Sequence, residues 1–124
     1  MRQIKFRGQT IGGDWVTGNL SILKKCFSTV RKGHYISNSA GSPFAFMIRP
    51  ETVGEFTGFK DINGKDLFEG DKYILPGNDH IYTVVFFDGA FYGKYQNSHH
   101  RLSITLGDLE IIGNIHTQDG GQEG

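Results

Sequence analysis

Short segments in which apolar and polar residues alternate recur along this chain of 124 residues. The alternation is clearest at residues 4–7, 15–23 and 44–49, and segments rich in β-branched and aromatic residues follow at 72–75, 80–87, 90–95, 102–105 and 110–116. Side chains that change side at every residue are typical of a strand with one buried face. Because no window sustains the 3.6-residue period of a capped helix, the sequence predicts a mainly β fold.

Turn signals separate these segments. Asn63-Gly64 can adopt positive φ, and Asp88-Gly89 is a strong hairpin signal. Leu67 is predicted to anchor, with Phe68, the turn that follows it. Since glycine adopts positive φ and aspartate accepts backbone N–H bonds in turns, we expect backbone-bending roles at nine positions: Gly58, Asn63, Gly64, Gly70, Asp71, Asp88, Gly89, Asp108 and Gly113.

Residues 67–116 match the plan of a small SH3-like barrel, with five short strands and one helical turn, at 106–109, before the last strand. A predicted hairpin at residues 4–23 and further N-terminal strands would pack on this barrel or extend it. Polar loops are predicted at 38–43 and 96–100, while residues 24–32 fit either a twisted strand or a loop. The length suits one mostly-β domain, predicted at residues 1–117, and residues 118–124 are expected to form a disordered tail.

Five blocks of the sequence carry a family resemblance. They lie at residues 4–8, 57–65, 69–71, 85–91 and 110–115. In this order and spacing they resemble the YopX family, which comprises small proteins of bacteriophages and prophages. The resemblance implies a mostly β fold and a phage-derived origin, and it transfers no established activity, cofactor or catalytic residue. The segment at residues 18–50 contains no matching block.

The net charge is zero, but its distribution is uneven. Residues 1–50 hold eight basic residues and Asp14 as their single acid, a balance of +7, whereas residues 51–124 carry −7. Such asymmetry indicates an interaction surface. We favour the interpretation that the two halves, or neighbouring copies in an oligomer, neutralise each other, because charge balance within the folded protein needs no further partner.

The basic residues also suggest a specific alternative. Four cations and two aromatic residues could form a nucleic-acid-binding patch: Lys24, Lys25, Arg31, Lys32, Phe27 and Tyr35. Against it, the pI of about 7.0 is far from the basic character of a nonspecific binder. The sequence therefore predicts a non-enzymatic phage or prophage accessory protein that forms a homo-oligomer or binds a protein partner, with nucleic-acid binding as the alternative.

Motifs for catalysis and metal binding are missing from the sequence. The acidic cluster that begins at Asp61 fails the calcium-loop pattern, because its fifth and sixth positions are Lys65 and Asp66. His99 and His100 are adjacent, so on a strand they point to opposite faces and cannot easily share a metal ion. No zinc spacing, phosphate loop or nucleophile elbow occurs. We therefore expect no catalytic residue, metal, cofactor or small-molecule substrate.

Cys26 is the single cysteine, so no intrachain disulfide can form, as is typical of a reducing cytoplasm. It is expected to be a buried and inert thiol. The N-terminus has no signal-peptide core, and the longest apolar run, at residues 44–48, is too short to span a bilayer. These features predict a protein of the bacterial cytoplasm without membrane contact.

Overall fold

The computed structural model describes residues 3–77, 79–102 and 108–116. It divides into two compact units, an N-terminal unit of residues 3–56 and a C-terminal unit from residue 57 onward. Strands dominate both units, so the mainly β prediction is confirmed, and the helical content of the described residues is one 3₁₀ turn at Pro50–Thr52. The single domain at 1–117 and the SH3-like character of the barrel stay predictions.

The strands are short, and most end at a turn. They are β1 (Phe6–Gln9), β2 (Trp15–Gly18), β3 (Leu20–Leu23), β4 (Gly33–Ile36), β5 (Phe46–Ile48), β6 (Gly54–Lys60), β7 (Asp66–Phe68), β8 (Asp71–Ile74), β9 (Tyr82–Phe87), β10 (Ala90–Tyr95), β11 (Ser98–Arg101) and β12 (Glu110–Asn114). The strand predicted at residues 102–105 and the helical turn predicted at 106–109 fall largely outside the described residues. The predicted tail at 118–124 lies wholly outside them.

A β1–β2 hairpin begins the N-terminal unit. Its register runs from Phe6 opposite Gly18 to Gln9 opposite Trp15. The turn is closed by the backbone N–H of Thr10, which donates to the Asp14 carbonyl at 2.8 Å. The other edge of β1 pairs with the first residues of β6, so β1 is an interior strand.

A separate three-stranded sheet, in the order β3-β4-β5, completes this unit, with Ile36 and Ile48 buried in its core. The prediction of one continuous strand at residues 15–23 is wrong, because Asn19 interrupts it. The Asn19 N–H donates to the Ser37 hydroxyl at 2.9 Å, and the Asn19 carbonyl accepts the Ser37 N–H at 3.0 Å. Gly18 lies so close that an added Cβ would stand 2.5 Å from the Ser37 carbonyl oxygen. β2 and β3 therefore enter different sheets.

The C-terminal unit is built on a five-stranded antiparallel sheet in the order β11-β10-β9-β8-β12. One side of this sheet carries the core, in which Tyr73 and Val84 cluster with Leu67 and Leu109. Both Leu67 and Phe68 of β7 are buried. The predicted anchors of the turn at residues 69–70 therefore do lie in the interior.

Strand β11 corrects the prediction of a polar loop at residues 96–100. After a turn at residues 96–97 the chain returns along β10, from Ser98 opposite Tyr95 to Arg101 opposite Tyr92. All four residues of β11 are exposed, so the strand lacks the apolar positions by which strands were recognised in the sequence. It forms because the turn fixes its register against β10.

The nine predicted backbone-bending positions occupy different kinds of site. Gly64, Gly70 and Gly89 have positive φ in turns, whereas Gly58 has a φ of 94° within β6. Gly113 lies where the register of β12 shifts against β8, at a bulge. Backbone freedom is therefore used inside strands as well as between them.

The polar members of this set lie in or beside turns and make different contacts there. Asp88, with a φ of 50°, precedes Gly89 in the β9–β10 turn. The buried Asp71 carboxylate accepts the Phe68 N–H at 2.8 Å. Asn63 donates its N–H to Asp61, while Asp108 lies exposed in a turn.

Asp61 joins the turn at residues 61–65 to the closing strand. Its Oδ1 accepts the backbone N–H groups of Asn63 and Lys65, both at 2.9 Å, and its Oδ2 accepts the N–H of Ile111 at 3.1 Å. Burial acts to raise the pKa of Asp61, but the three N–H groups and the Lys65 charge together hold that pKa below its ordinary value of 3.8. The fold therefore uses the ionised carboxylate.

Asp61→Asn should lower the free energy of unfolding by about 1–3 kcal/mol at neutral pH, because the amide cannot replace the charged acceptor of three bonds. Since folding lowers the Asp61 pKa, its contribution is present above about pH 4 and is lost as the pH falls through the folded-state pKa. Urea unfolding of both proteins should show a difference that shrinks in acid. Asp88→Asn, at an exposed turn position, is the matched control and should be nearly neutral. A difference that does not depend on pH would contradict this role.

Gly93 faces the core side of β10, directly against the Tyr73 ring. A Cβ there would meet the Tyr73 hydroxyl and stand 2.8 Å from Cζ. Gly93→Ala should therefore reduce stability by about 1–3 kcal/mol through overpacking, measured by urea unfolding. Gly12→Ala is the control, since its nearest neighbouring atom would lie 3.9 Å away. Adding Tyr73→Phe should recover part of the loss, and no recovery would argue against the clash.

Candidate binding surface

The β3–β4 hairpin continues beyond its two strands. Leu23 and Gly33 form the last pair of the regular ladder. Farther out, Phe27 and Val30 each donate a backbone N–H to the other's carbonyl at 2.8 Å. Ser28, with a φ of 55°, opens the two-residue turn between them. Residues 24–32, for which the sequence allowed strand or loop, thus form the outer part of a hairpin, which we call the hairpin tip.

The hairpin tip carries four cationic side chains. Lys24 and Lys25 lie on the outgoing arm, Arg31 and Lys32 lie on the returning arm, and all four are exposed. In the part of the chain that the structure describes, none of the four forms an ion pair. No aspartate or glutamate occurs anywhere in residues 15–50, so the neighbouring sequence supplies no carboxylate. The tip therefore presents concentrated positive charge to solvent.

The two predicted stacking residues differ in accessibility. Phe27 is 69% exposed at the end of the tip. The prediction for Tyr35 is wrong, because its side chain is buried: its hydroxyl donates to the Arg31 carbonyl at 2.6 Å, and its ring packs edge-to-face on Phe44 at 5.4 Å between centroids. Tyr35 thus supports the returning arm and offers no ring face to a ligand.

Cys26 corrects a second expectation. It was predicted to be buried, but it is exposed. The reason is its position beyond the last pair of the regular ladder, at Leu23 and Gly33. The neighbouring Lys24 and Lys25 were the available sequence signal for exposure, whereas Phe27 favoured burial.

A second group of ring side chains, in the C-terminal unit, was missed by the sequence analysis. Phe87 of β9 and His99 of β11 stack with centroids 4.3 Å apart and planes 16° apart. Tyr92 of β10 meets Phe87 at 6.0 Å and His99 at 5.9 Å, both edge-to-face. His100 instead contacts the core residue Tyr82 at 5.4 Å. The sequence could have predicted the contact between Phe87 and Tyr92, because the Asp88-Gly89 turn sets the pairing of β9 with β10. It could not predict the contact of His99, because residues 96–100 were predicted to form a loop.

Three acidic side chains described in this unit have structural partners. Asp61 and Asp71 accept backbone N–H groups, and Asp66 pairs with Lys60 at 2.5 Å. Over the described ranges, no three His, Cys, Asp or Glu residues are grouped so as to hold a metal ion. Backbone hydrogen bonds thus account for Asp61 and Asp71, and an ion pair accounts for Asp66.

A small open cavity lies in the same unit. It has a volume of about 270 Å³ and is lined by Phe59, Phe86 and Phe91 with Arg101, Leu102 and the glycine and alanine at positions 89 and 90. The residues described in this lining are mostly apolar.

The match to a known family covers most of the chain. A model of the YopX protein family matches residues 5–119. The chain belongs to the YopX family. This match runs through residues 18–50, where the resemblance of individual blocks had stopped. The hairpin tip thus lies within the matched residues.

A solved structure shares the fold of this YopX-family chain. It is the crystal structure of protein EF1440 from Enterococcus faecalis, with a TM-score of 0.56 and 19% sequence identity over 94% of this chain and 95% of that one. At that identity the likeness shows the fold alone. No curated protein matches the chain. Among the residues described, no helix has the length and apolar character needed to cross a membrane.

Proposed function

We propose that this YopX-family protein is a non-enzymatic accessory protein of phage or prophage that holds a nucleic-acid backbone on its hairpin tip. The observation that carries the proposal is the set of four exposed cations without an ion pair in the described chain. The sequence alone favoured self-association or protein binding, because the acidic half could neutralise this charge. Cations that stay exposed and unpaired favour an anion from outside the protein.

The release of counterions favours the binding of phosphates to these cations. Each cation that neutralises a phosphate releases condensed ions, so the affinity falls steeply as salt rises. For four contacts on a single strand, the slope of log affinity against log salt is about −3. Raising the salt four-fold would then weaken binding roughly fifty-fold.

The neutral overall charge does not oppose this proposal once the charges are segregated. Exposed charges farther apart than about 10 Å are largely screened at 0.1 M salt. A bound strand therefore responds mainly to the cations that it contacts. The acid-free stretch at residues 15–50 supplies such a local environment, in which the average pI is a poor guide.

Phe27 favours a single strand over a duplex. Its exposed ring stands between Cys26 and Ser28 at the end of the tip, with two cations on either arm. Stacking of a base on an aromatic ring contributes about 1–3 kcal/mol and requires an unstacked base. Single-stranded DNA or RNA offers such bases, whereas a duplex hides them.

Replacing Lys24 and Lys25 by alanine should weaken binding of a labelled oligothymidylate about ten-fold at low salt. Because two phosphate contacts are removed, the slope of log affinity against log salt should also become less negative by about 1.4. Fluorescence anisotropy at several salt concentrations measures both quantities. Phe27→Ala should lower the affinity for the same oligonucleotide without changing the slope of log affinity against log salt.

The matched control is Lys60→Ala with Lys65→Ala, which removes the same charge from exposed positions of the C-terminal unit. The affinity of this double variant should stay within about two-fold of that of the unaltered protein, because charges distant from the bound strand are screened by salt. Equal losses from both lysine pairs, or no binding by the unaltered protein, would refute the proposal.

Self-association or binding of a host or phage protein is the second candidate. Phe86 and Phe87 are adjacent in β9 and are 54% and 50% exposed. Large exposed apolar side chains mark protein contact sites when they lie together. On a strand they point to opposite faces, and Phe86 lies together with Phe91, with ring centroids 5.1 Å apart, so a partner would engage that pair.

Light scattering after size-exclusion chromatography, at low and high salt, tests this second candidate. An assembly held by apolar side chains should keep its mass when salt rises, whereas one held by the opposite charges of the two halves should dissociate. A monomer under both conditions would leave self-association unsupported.

A further inference from the structure

The five-stranded sheet has a side that faces away from the core. Residues paired across neighbouring strands share a side, and the side that carries Tyr82 and Val84 is the core side. The opposite side of β9, β10 and β11, which we call the outer face, carries eight side chains: Thr83, Val85, Phe87, Ala90, Tyr92, Lys94, His99 and Arg101.

Three rings form a contiguous surface on the outer face. Phe87, Tyr92 and His99 come from three adjacent strands, and their centroids all lie within 4.3 to 6.0 Å of one another. Phe87 is half exposed and His99 is exposed, while Tyr92 is partly buried beside the stacked pair. Rings held by a sheet and by one another are already ordered, so a ligand that stacks on them loses little additional freedom.

Cations flank these rings. Lys94 pairs with His99 across β10–β11, and Arg101 pairs with Tyr92. Both cations are exposed, and neither forms an ion pair within the described ranges. None of the eight outer-face side chains is a carboxylate, and Asp88, in the turn after Phe87, is the nearest acid along these strands.

We propose that the outer face is a stacking platform for the bases of single-stranded nucleic acid, with Lys94 and Arg101 placed to contact the phosphates beside them. The identity of this ligand rests on the proposed function, whereas the site itself rests on the geometry of β9–β11. Sheets that carry two or three aromatic rings bind unstacked bases in this way, and adjacent cations hold the backbone. Because an aromatic ring stacks on any base, the platform accepts single strands of any sequence.

Phe87→Leu tests the platform, since it keeps an apolar side chain and removes the ring from an exposed position. It should weaken oligothymidylate binding about five-fold or more and leave an abasic strand of equal length and charge unaffected. Phe86→Leu is the matched control: it makes the same change in the adjacent residue, with similar exposure, on the other side of β9. It should change neither affinity. Thermal unfolding verifies that both variants are folded.

Photo-cross-linking separates the platform from the hairpin tip. An oligonucleotide that carries 5-iododeoxyuridine should cross-link to the peptides containing Tyr92 and His99, identified by mass spectrometry. Cross-links at Phe27 alone, with equal affinities for the Phe86 and Phe87 variants, would overturn the platform and leave the proposed function standing.

The opposite set of results also distinguishes the platform from the hairpin tip. Cross-links on the outer face, with affinity unchanged by the Lys24 and Lys25 replacements, would support the platform and refute the hairpin tip. If Phe87→Leu changes the oligomeric mass in light scattering and not the affinity, the outer face is a protein contact and the platform is overturned. Absence of binding by the unaltered protein overturns both.

Discussion

Two-residue turns fix the strand registers on which the hairpin tip and the outer face depend. The three non-glycine residues with positive φ in the described chain each open such a turn: Ser28, Asp88 and Gln96. The pairs that close these turns are Phe27 with Val30, Phe87 with Ala90, and Tyr95 with Ser98. A shift of one residue in any of them would move each side chain of the strand to the opposite face.

The same constraint gives each strand of the C-terminal unit two distinct sides. On the core side, Tyr73 packs so tightly against β10 that the position opposite it must be Gly93. On the outer face, the register that buries Val84 leaves Phe87 beside Tyr92 and His99. Core packing and the aromatic platform are therefore two results of one pairing pattern.

The opposite charges of the two halves of the sequence arise from different structural uses. Among the acids, Asp61 and Asp71 are buried and accept backbone N–H groups, and Asp66 pairs with Lys60. The cations of the hairpin tip are exposed and have no such partners in the described chain. Equal and opposite formal charges thus do not imply equal and opposite surfaces. This difference is the observation on which the proposed nucleic-acid binding rests.

The sequence determined the features that depend on neighbouring residues. Local patterns were sufficient to predict the mainly β fold, the Asp88-Gly89 hairpin, the buried anchors Leu67 and Phe68, and the family. The reason is that alternation and turn chemistry act over a few residues. The likeness to a structure at 19% identity agrees with this, since such patterns tolerate extensive substitution.

Only the tertiary structure decided the features that depend on distant partners. Ser37 interrupts the strand at Asn19, 18 positions earlier in the chain, and the Tyr35 ring packs on Phe44 beyond the end of β4. Exposure follows the same rule, because Cys26 and Phe27 resemble core residues in composition and become surface residues only through the position of the hairpin tip. The physical reason is that burial and backbone pairing are set by residues brought together from elsewhere in the chain, which no short window of sequence contains.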